Sequence, residues 1–370
     1  MRTAKPKLRV LVVDDSLLMR RIISQIIGSQ SDMEVVGTAR DGVEALEQAR
    51  TLCPDVITLD VEMPRMNGIQ FLEQIMPESP QRVVMLSSLT SAGAEATFTC
   101  LQKGAIDFLE KPSGSISLDI GDMGDEIVCK VRSAAMATIQ KRTLGNRTIR
   151  QQYLKTDQTT TGVPQKPRVP MLIVAIASST GGPPALTELL SGLPASLDVG
   201  YLLVQHLPDR FSTLLCSRLD TLCDLKVREA EEGDRPQAGT ILVAPGGKHL
   251  IMTETGELSF STAPSLWGVR PAADVLIPSV AKVWKERTIG VVLTGMGRDG
   301  SLGVRAIQHV GGVSFAQDEA TSVIYGMPKV AWETGCVSRQ VPLSEMAGAL
   351  VQLIKERLLE TQRLRKRIAS

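Results

Sequence analysis

The chain has 370 residues, 43% of them hydrophobic, and is long enough for two domains with full cores. Its formal net charge of +1 implies no strongly charged partner such as nucleic acid. The six cysteines are scattered without a C-x-x-C pair, which favours a reducing compartment and disfavours a zinc site. No signal peptide and no apolar stretch of about 20 residues is visible, so we expect a cytoplasmic protein without direct membrane insertion.

The N-terminal third alternates short apolar runs with helical patterns. The first run, Leu8-Arg-Val-Leu-Val-Val-Asp-Asp15, ends in two carboxylates. Further strands are predicted at residues 34–39, 56–60, 82–87 and 105–109, and the last helix at residues 124–141. This alternation predicts an α/β fold in which helices cover both faces of a parallel sheet.

Polar side chains stand at the ends of these predicted strands: Asp14, Asp15, Asp60, Ser87 and Lys111. The carboxyl ends of parallel strands meet at one edge of a sheet, so these side chains are expected to converge. Three converging carboxylates repel one another unless a divalent cation joins them, and hard oxygen ligands favour Mg²⁺. Each Asp taken alone is typical of a turn or a helix cap. The whole set predicts a site where the Asp60 carboxylate accepts a phosphoryl group.

The string Asp60-Val-Glu-Met-Pro-Arg-Met-Asn-Gly68, together with Lys111-Pro112, resembles the receiver domain of bacterial response regulators over roughly residues 7–130. The resemblance implies a flavodoxin-like (βα)5 receiver, assigned to residues 1–141, and a histidine kinase as phosphodonor. Asp60 would be the phosphoacceptor, Asp14, Asp15 and Asp60 the Mg²⁺ ligands, and Lys111 the phosphate-sensing lysine. Ser87 and Phe108 would be the hydroxyl and aromatic positions that move on phosphorylation.

Residues 142–170 lose the hydrophobic periodicity of the first domain. The stretch from Gln151 to Pro164 is polar and rich in threonine. Such a stretch buries too little apolar surface to offset the entropy of ordering, so a flexible linker is predicted. The second domain is assigned to residues 171–370.

The second domain opens with Leu172-Ile-Val-Ala-Ile-Ala-Ser-Ser-Thr-Gly-Gly-Pro-Pro184, which predicts a buried parallel strand and then a helix that starts at the prolines. Later segments predict a doubly wound, mostly parallel α/β domain. Pro245-Gly-Gly-Lys248 lies between two apolar runs and predicts the turn of a β-hairpin. Strands are predicted at residues 199–205, 225–230, 289–293 and 313–317, and helices at residues 275–284, 301–309 and 351–368.

Three strands of this domain run out into groups that suit a hydrolase triad. The first ends in Ser178 and Ser179, the second in His206, and residues 289–293 continue to Asp299. A serine, a histidine and an aspartate at one sheet edge make a nucleophile, a base and an orienting group. Periodicity does not choose between the two serines.

A structural interpretation of the same residues stays open. Serine at a strand–helix turn is often only an N-cap, and Asp299 in a Gly-Arg-Asp-Gly string is often only a turn former. His309 is expected on a helix surface, and His249 lies in the predicted hairpin with no obvious partner. His206 is therefore the best candidate for a base.

Three strings, Ser178-Ser-Thr-Gly-Gly182, Gln205-His-Leu-Pro208 and Gly295-Met-Gly-Arg-Asp-Gly300, closely resemble the catalytic domain of the chemotaxis protein-glutamate methylesterases. The resemblance covers about residues 171–350 and selects Ser179 as nucleophile, with His206 and Asp299 completing the triad. It places an oxyanion-hole amide on the backbone of Met296. The chain departs from the family pattern at Ala177, where a glycine is usual, and at Pro208-Asp-Arg-Phe211.

The two resemblances together imply a phosphorylation-activated hydrolase of adaptation in chemotaxis-type signalling. It would demethylate glutamyl methyl esters on methyl-accepting chemoreceptors, release methanol and deamidate receptor glutamines, with no cofactor in the catalytic domain. One rival is a receiver with a DNA-binding output, but only the basic tail favours it. A Rossmann nucleotide-binding domain is the other, and it lacks the G-x-G-x-x-G string.

Overall fold

The computed structural model describes residues 6–87, 91–111, 120–139 and 168–369. The chain divides into two compact units, Met1–Lys141 and Arg142–Ser370, and each is described here by itself. Most of the predicted linker at residues 142–170 lies outside the described residues.

The first unit is a five-stranded parallel sheet with the strand order β2-β1-β3-β4-β5. The predicted flavodoxin-like (βα)5 fold is confirmed. Strands β1, β3 and β4 are buried along almost their whole length, as expected for strands covered on both faces. The elements are β1 Leu8–Val13, α1 Leu17–Gly28, β2 Met33–Ala39, α2 Gly42–Leu52, β3 Val56–Asp60, α3 Gly68–Glu78, β4 Val83–Ser87, α4 Ser91–Gln102, β5 Asp107–Glu110 and α5 Ile120–Met136.

The last helix of the first unit differs from its prediction. It starts at Ile120 and ends at Met136, so the expected extension through residues 137–139 is wrong. The amide of Ala137 donates to the carbonyl of Ala134 at 3.0 Å, and Arg82 Nε donates to the carbonyl of Ala137 at 3.1 Å. A side chain from outside the helix therefore takes a carbonyl that a continuing helix would use.

The turn after β3 holds Asp60 close against the next helix. Asn67 caps α3 in a capping box with Gln70. A Cβ on Gly68 would lie 2.5 Å from the carbonyl oxygen of Asp60. Only glycine permits this approach, so the string that follows Asp60 fixes the backbone on which its carboxylate stands.

The second unit is built on a seven-stranded parallel sheet with the order β14-β13-β12-β6-β7-β9-β8, and a separate two-stranded antiparallel ribbon joins β10 to β11. Its elements are β6 Leu172–Ser178, α6 Gly182–Ser191, β7 Val199–Gln205, α7 Asp209–Leu222, β8 Lys226–Glu229, β9 Thr240–Val243, β10 His249–Met252, β11 Leu258–Ser261, α8 Ala273–Trp284, β12 Thr288–Val292, α9 Ser301–His309, β13 Val313–Gln317, α10 Met327–Glu333, β14 Arg339–Val341 and α11 Leu343–Ala369.

The hairpin of this unit is not at the predicted turn. Pro245-Gly-Gly-Lys248 carries the chain from the large sheet into the ribbon, and the hairpin itself joins β10 to β11 through Gly256, which has a φ of 81°. A Cβ on Gly246 would collide with the backbone of Asp209 at the start of α7. The glycine at residue 246 therefore serves a close backbone approach rather than a hairpin turn.

Four elements, α7, β11, α10 and β14, were not predicted, and α11 starts eight residues before the predicted tail helix at Val351. Strand β14 adds a parallel edge to β13 through three register pairs. In the part of the chain that the structure describes, every helix is too short or too polar to cross a bilayer.

Candidate functional site

The register of β6 and β7 brings the candidate nucleophile and base together. Ser178 and Gln205 are register partners at the last residues of these strands. The chain therefore leaves the sheet side by side at Ser179 and His206, and the amide of His206 donates to the carbonyl of Ser178 at 3.1 Å. On the other side of β6, the amide of Ser179 donates to the carbonyl of Thr294 at 3.0 Å.

The structure distinguishes the two serines. Ser178 is fully buried, and its hydroxyl donates to Gln205 Oε1 at 2.7 Å. Ser179 is partly exposed and sits at the turn between β6 and α6. A buried hydroxyl committed to an amide oxygen cannot reach a substrate, so Ser179 is the serine placed to act as a nucleophile.

Gln205 is a site residue that the sequence analysis missed. Besides accepting from Ser178, it donates through Nε2 to the carbonyls of Ser179 at 3.0 Å and His206 at 3.1 Å. A Cβ on Gly182 would collide with Gln205 Oε1, so the glycine leaves room for this amide. The one signal in the sequence was a polar residue at the end of an otherwise apolar strand.

His206 and Asp299 form a direct hydrogen bond. His206 Nε2 lies 2.7 Å from Asp299 Oδ2, and both side chains are largely buried. Asp299 Oδ2 also accepts from the amide of Ala273 at 2.6 Å, and Asp299 Oδ1 accepts from the amide of Asp274 at 2.8 Å. Since both oxygens already act as acceptors, Nε2 is the donor to Asp299. Nδ1 is then the ring nitrogen that can accept a proton, the reverse of the usual assignment in serine proteases.

Asp299 lies at the beginning of α8, a position that the sequence did not reveal. The N-cap residue of α8 is Ala272, whose side chain cannot cap a helix. The Asp299 carboxylate takes the first two amides of the helix instead, and the helix dipole favours a negative charge there. The orienting carboxylate is thus held from two sides, by the imidazole and by the helix start.

The loop from Thr294 to Asp299 passes over the Ser179 turn. A Cβ on Gly295 would lie 2.7 Å from the Cβ of Ser179, so glycine is needed for this approach. Met296 follows directly and is partly exposed. Thr294 fixes the start of this loop, because its buried hydroxyl donates to the carbonyl of Thr180 at 3.0 Å.

The remaining histidines lie apart from this arrangement. His249 is buried, and its Nδ1 accepts from the amide of Ala272 at 3.2 Å while Nε2 lies 3.1 Å from the carbonyl oxygen of Pro264. It therefore ties β10 to the loop that leads into α8. His309 is the exposed last residue of α9, in agreement with the expected position on a helix surface.

In the first unit, Asp14, Asp15 and Asp60 each offer a carboxylate oxygen, and these oxygens all lie within 4.8 Å of one another. Asp14 and Asp60 are buried, whereas Asp15 is exposed. Lys111 Nζ lies 2.7 Å from Asp14 Oδ2 and 2.7 Å from Asp60 Oδ2. Three hard oxygen donors with one open side fit a divalent cation.

Charge in this acidic site is incompletely balanced. Burial raises the pKa of Asp60 to about 6; Lys111 opposes the rise, while Asp14 and Asp15 add to it. Burial acts to lower the pKa of Lys111, but the carboxylates of Asp60 and Asp14 outweigh it and raise that pKa. A lysine alone therefore does not compensate the carboxylates fully, and a divalent cation would stabilise their ionised forms.

Ser87 and Phe108 are both buried, on β4 and β5. The Ser87 hydroxyl accepts from Thr97 Oγ1 at 2.7 Å and donates to the carbonyl of Gly93 at 3.2 Å. The rings of Phe98 and Phe108 are 6.4 Å apart between centroids and tilted by 57°. Both predicted switch residues are thus packed against α4, which carries Gly93, Thr97 and Phe98.

The comparisons with known proteins agree for the two units. A family described as "CheB methylesterase" matches residues 174–350, and one described as "Response regulator receiver domain" matches residues 10–119. A relative from Pyrococcus abyssi, named "Protein-glutamate methylesterase/protein-glutamine glutaminase", is 46% identical over 353 residues, which is 94% of each chain. A relative of the same name from Symbiobacterium thermophilum is 45% identical and covers 94% of this chain and 98% of its own.

Among solved structures, the "Crystal structure of Thermotoga maritima CheB methylesterase catalytic domain" is 37% identical, with a TM-score of 0.48, and covers 49% of this chain and 98% of its own. The identity to the two relatives extends over nearly the whole chain and spans both family matches. The chain therefore belongs to the family of protein-glutamate methylesterases/protein-glutamine glutaminases that carry a response-regulator receiver domain.

Proposed function

We propose that this protein is a phosphorylation-activated hydrolase that cleaves glutamyl γ-methyl esters and deamidates glutamines of chemoreceptors. The hydrogen bond between His206 and Asp299, formed beside the Ser179 turn, carries this proposal. An imidazole that is hydrogen-bonded to an oriented carboxylate and follows the strand next to that of a partly exposed serine is typical of a triad. The names of the relatives supply the class of substrate.

In the first half of the proposed reaction, His206 Nδ1 takes the hydroxyl proton as Ser179 Oγ attacks the ester carbonyl. Asp299 accepts the Nε2 hydrogen and stabilises the imidazolium that forms. The imidazolium then protonates the departing methoxide. Methanol leaves, and the glutamyl group remains as an ester on Ser179.

In the second half, His206 removes a proton from water as the water attacks the glutamyl ester of Ser179. The imidazolium returns this proton to Ser179 Oγ as the ester bond breaks, so the products are a free glutamate carboxyl group and the regenerated serine. With a glutamine substrate the same steps release ammonia in place of methanol. The backbone amide of Met296 is assigned to the oxyanion, since its loop crosses the Ser179 turn.

The direct test is to follow methanol release from a peptide that carries a glutamyl γ-methyl ester, and ammonia release from the same peptide with glutamine. The proposal expects both products with wild-type protein. Release of neither product, also after treatment with a phosphodonor, would contradict it. A protein treated with a serine-reactive phosphonate is the control, because it must lose both activities together.

For the first unit, we propose that Mg²⁺ is held by Asp14, Asp15 and Asp60, and that Asp60 accepts a phosphoryl group from a histidine kinase. When bound, the cation neutralises charge on the carboxylates and on the incoming phosphoryl oxygens. Lys111 Nζ, already 2.7 Å from Asp60 Oδ2, would pair with the phosphoryl oxygens once the carboxylate has become an acyl phosphate. Ser87 and Phe108 would then change their packing against α4.

The test of this part uses acetyl phosphate with and without Mg²⁺, and mass spectrometry to locate the added phosphoryl group. The expected site is Asp60, and incorporation should require the metal. Asp55→Asn should take up phosphate as wild type does and is the matched control for the loss of an aspartate in this unit. Asp55 Oδ2 accepts from the amide of Arg9 at 2.8 Å, outside the acidic site. Phosphoryl transfer to another residue in wild-type protein would refute the assignment.

A further inference from the structure

A second aspartate, Asp274, lies directly beside Asp299. It is the second residue of α8, and its amide donates to Asp299 Oδ1 at 2.8 Å. Its own side chain is only 6% exposed. A buried carboxylate next to another one is costly unless it has donors of its own. The contacts of Asp274 therefore need an explanation.

The Asp274 carboxylate joins three segments that surround the triad. Asp274 Oδ1 accepts from the amide of Gly303 at 2.8 Å, in the first turn of α9. Asp274 Oδ2 accepts from Trp267 Nε1 at 2.9 Å, in the loop before α8. One side chain thus holds the start of α8, the start of α9 and the Trp267 loop in a fixed relation.

These contacts close a ring that returns to the triad. The guanidinium of Arg298 lies 4.6 Å from the centroid of the Trp267 ring. Arg298 directly precedes Asp299, whose Oδ1 accepts from the amide of Asp274. Trp267 is 42% exposed, so the outer part of the ring faces solvent at the edge of the site. A displacement of Asp274 would therefore reach Asp299 by two routes, through the Asp274 amide and through Trp267 and Arg298.

We propose that Asp274 is a positioning residue, which keeps Asp299 aligned with His206 by fixing the two helix starts and the Trp267 loop. It touches no reacting atom and acts through Asp299. The inference rests on the proposed function for its kinetic test, but the alignment of His206 and Asp299 can be measured without any substrate. A structural role alone would stabilise the fold and leave this alignment unchanged.

The charge state of Asp274 matters for this role. Burial raises the pKa of Asp274 to about 6; the amide of Gly303 opposes the rise and the nearby Asp299 adds to it. Only the ionised carboxylate offers both oxygens as acceptors, because a protonated one turns an O–H toward a donor. The other ionisable groups around it are His206 beyond Asp299, Arg298 on Trp267, and His249 at the amide of Ala272.

The test compares Asp274→Asn with wild type as full-length chains, on the γ-methyl ester peptide. The asparagine amide places N–H groups against one of the two donors, Gly303 or Trp267. We expect kcat to fall about 10- to 100-fold with KM nearly unchanged, since small misplacements at a reacting site have effects of this size. The ratio of wild-type to variant kcat should shrink as pH falls through about 6, because protonated Asp274 meets the same conflict.

Proton NMR supplies the readout that is independent of substrate. The hydrogen between His206 Nε2 and Asp299 should give a low-field resonance, and Asp274→Asn should shift or broaden it. Asp220→Asn is the matched control, because Asp220 accepts the amide of Val227 at 2.7 Å in the same unit without contacting Asp299. It should change neither kcat nor this resonance.

Trp267→Phe is a second variant that keeps the charge of Asp274 and removes one donor. It should shift the low-field resonance by less than Asp274→Asn does. It also tests the proposal if the Asp274→Asn protein does not fold. An unchanged resonance and an unchanged kcat in either folded variant would overturn the positioning role. Absence of methanol release by wild type would instead refute the proposed function and leave the NMR comparison decisive for Asp274.

Discussion

Ser178 donates its hydroxyl hydrogen to Gln205 Oε1 at 2.7 Å, inside the sheet edge and away from solvent. The Ser178 hydroxyl is thus committed to an amide oxygen, and Gln205 Nε2 also holds the backbone of Ser179 by donating to its carbonyl. Two neighbouring hydroxyls that look alike in the sequence have different surroundings, because Ser178 is buried and Ser179 is partly exposed.

The first prediction follows from this difference. Ser179→Ala should reduce methanol release on the order of a millionfold, as expected when a triad nucleophile is lost. Ser178→Ala should keep activity within about tenfold and cost about 1–3 kcal/mol of stability, since it leaves the buried Gln205 Oε1 without its donor. Methanol release and urea unfolding of both variants check this. A Ser179→Ala protein within tenfold of wild type would show that another residue is the nucleophile.

The second prediction concerns Gln205. Gln205→Leu leaves the buried Ser178 hydroxyl without its acceptor and removes the Nε2 donor from the carbonyls of Ser179 and His206. The carbonyl of Ser179 keeps the amide of Gly182 as a donor at 2.7 Å. An unsatisfied buried polar group costs about 1–3 kcal/mol, so the unfolding free energy should fall by at least this amount. The rate at which a phosphonate reagent labels Ser179 should fall as well.

Gly182→Ala offers a milder version of the same change, because its added Cβ would displace the Gln205 amide. Gly28→Ala is the control for loss of a glycine, because an added Cβ there meets open space and the backbone has no positive φ. Gly28→Ala should label at the wild-type rate, whereas a wild-type rate for Gly182→Ala would show that the role given to Gln205 is wrong.

Elements and site candidates could be predicted from the sequence where the pattern is local or where reactive side chains stand at strand ends. The strands at residues 56–60, 199–205 and 313–317 have the predicted bounds, because buried parallel strands are continuous apolar runs between polar turns. His206, Asp299 and the serine pair Ser178-Ser179 stood out because each follows such a run, and the resemblance to the methylesterase family selected Ser179. Their roles stay predictions until the variants are measured.

The parts that the sequence did not reveal depend on contacts between distant segments. Gln205 matters only because β6 and β7 are in a register that sets it opposite Ser178. The Asp299 contact with the start of α8 joins residues 25 positions apart, and no periodicity encodes it. The turn at residues 245–248 was misassigned for a related reason, because Gly246 permits a close approach to the backbone of Asp209 and does not form a hairpin turn.

The third prediction is a dependence of stability on pH in the first unit. The pKa of Asp60 in the folded chain, about 6, exceeds the value of 3.8 for an unperturbed aspartate. Folding therefore favours the protonated form. The stability gained from this is complete below pH 3.8 and is lost as pH rises through about 6. One pKa unit corresponds to about 1.4 kcal/mol, so the loss is on the order of 2–3 kcal/mol.

Asp60→Asn should remove this loss and make the first unit more stable than wild type at pH 7 without metal. Mg²⁺ should stabilise wild type at pH 7 and have a smaller effect on the variant. Circular dichroism reports the unfolding of both units. Tryptophan fluorescence reports the unfolding of the second unit alone, because all three tryptophans lie there. The prediction would be contradicted if wild type and variant had equal urea midpoints at pH 7 as well as at pH 4.

The last prediction joins phosphorylation to hydrolysis. In the full-length chain, acetyl phosphate with Mg²⁺ should raise the rate of methanol release, whereas Asp60→Asn should show the same rate with and without the phosphodonor. Phosphorylation can act only through a difference in how it stabilises the inactive and active states, and a tenfold rise requires about 1.4 kcal/mol of such a difference. Asp55→Asn should respond like wild type, because its carboxylate accepts from the amide of Arg9 and lies outside the acidic site. Ser179→Ala should take up phosphate at Asp60 and release no methanol, which separates the two chemistries. A wild-type protein that is fully phosphorylated at Asp60 but turns over the ester at its original rate would refute activation and leave the triad assignment intact.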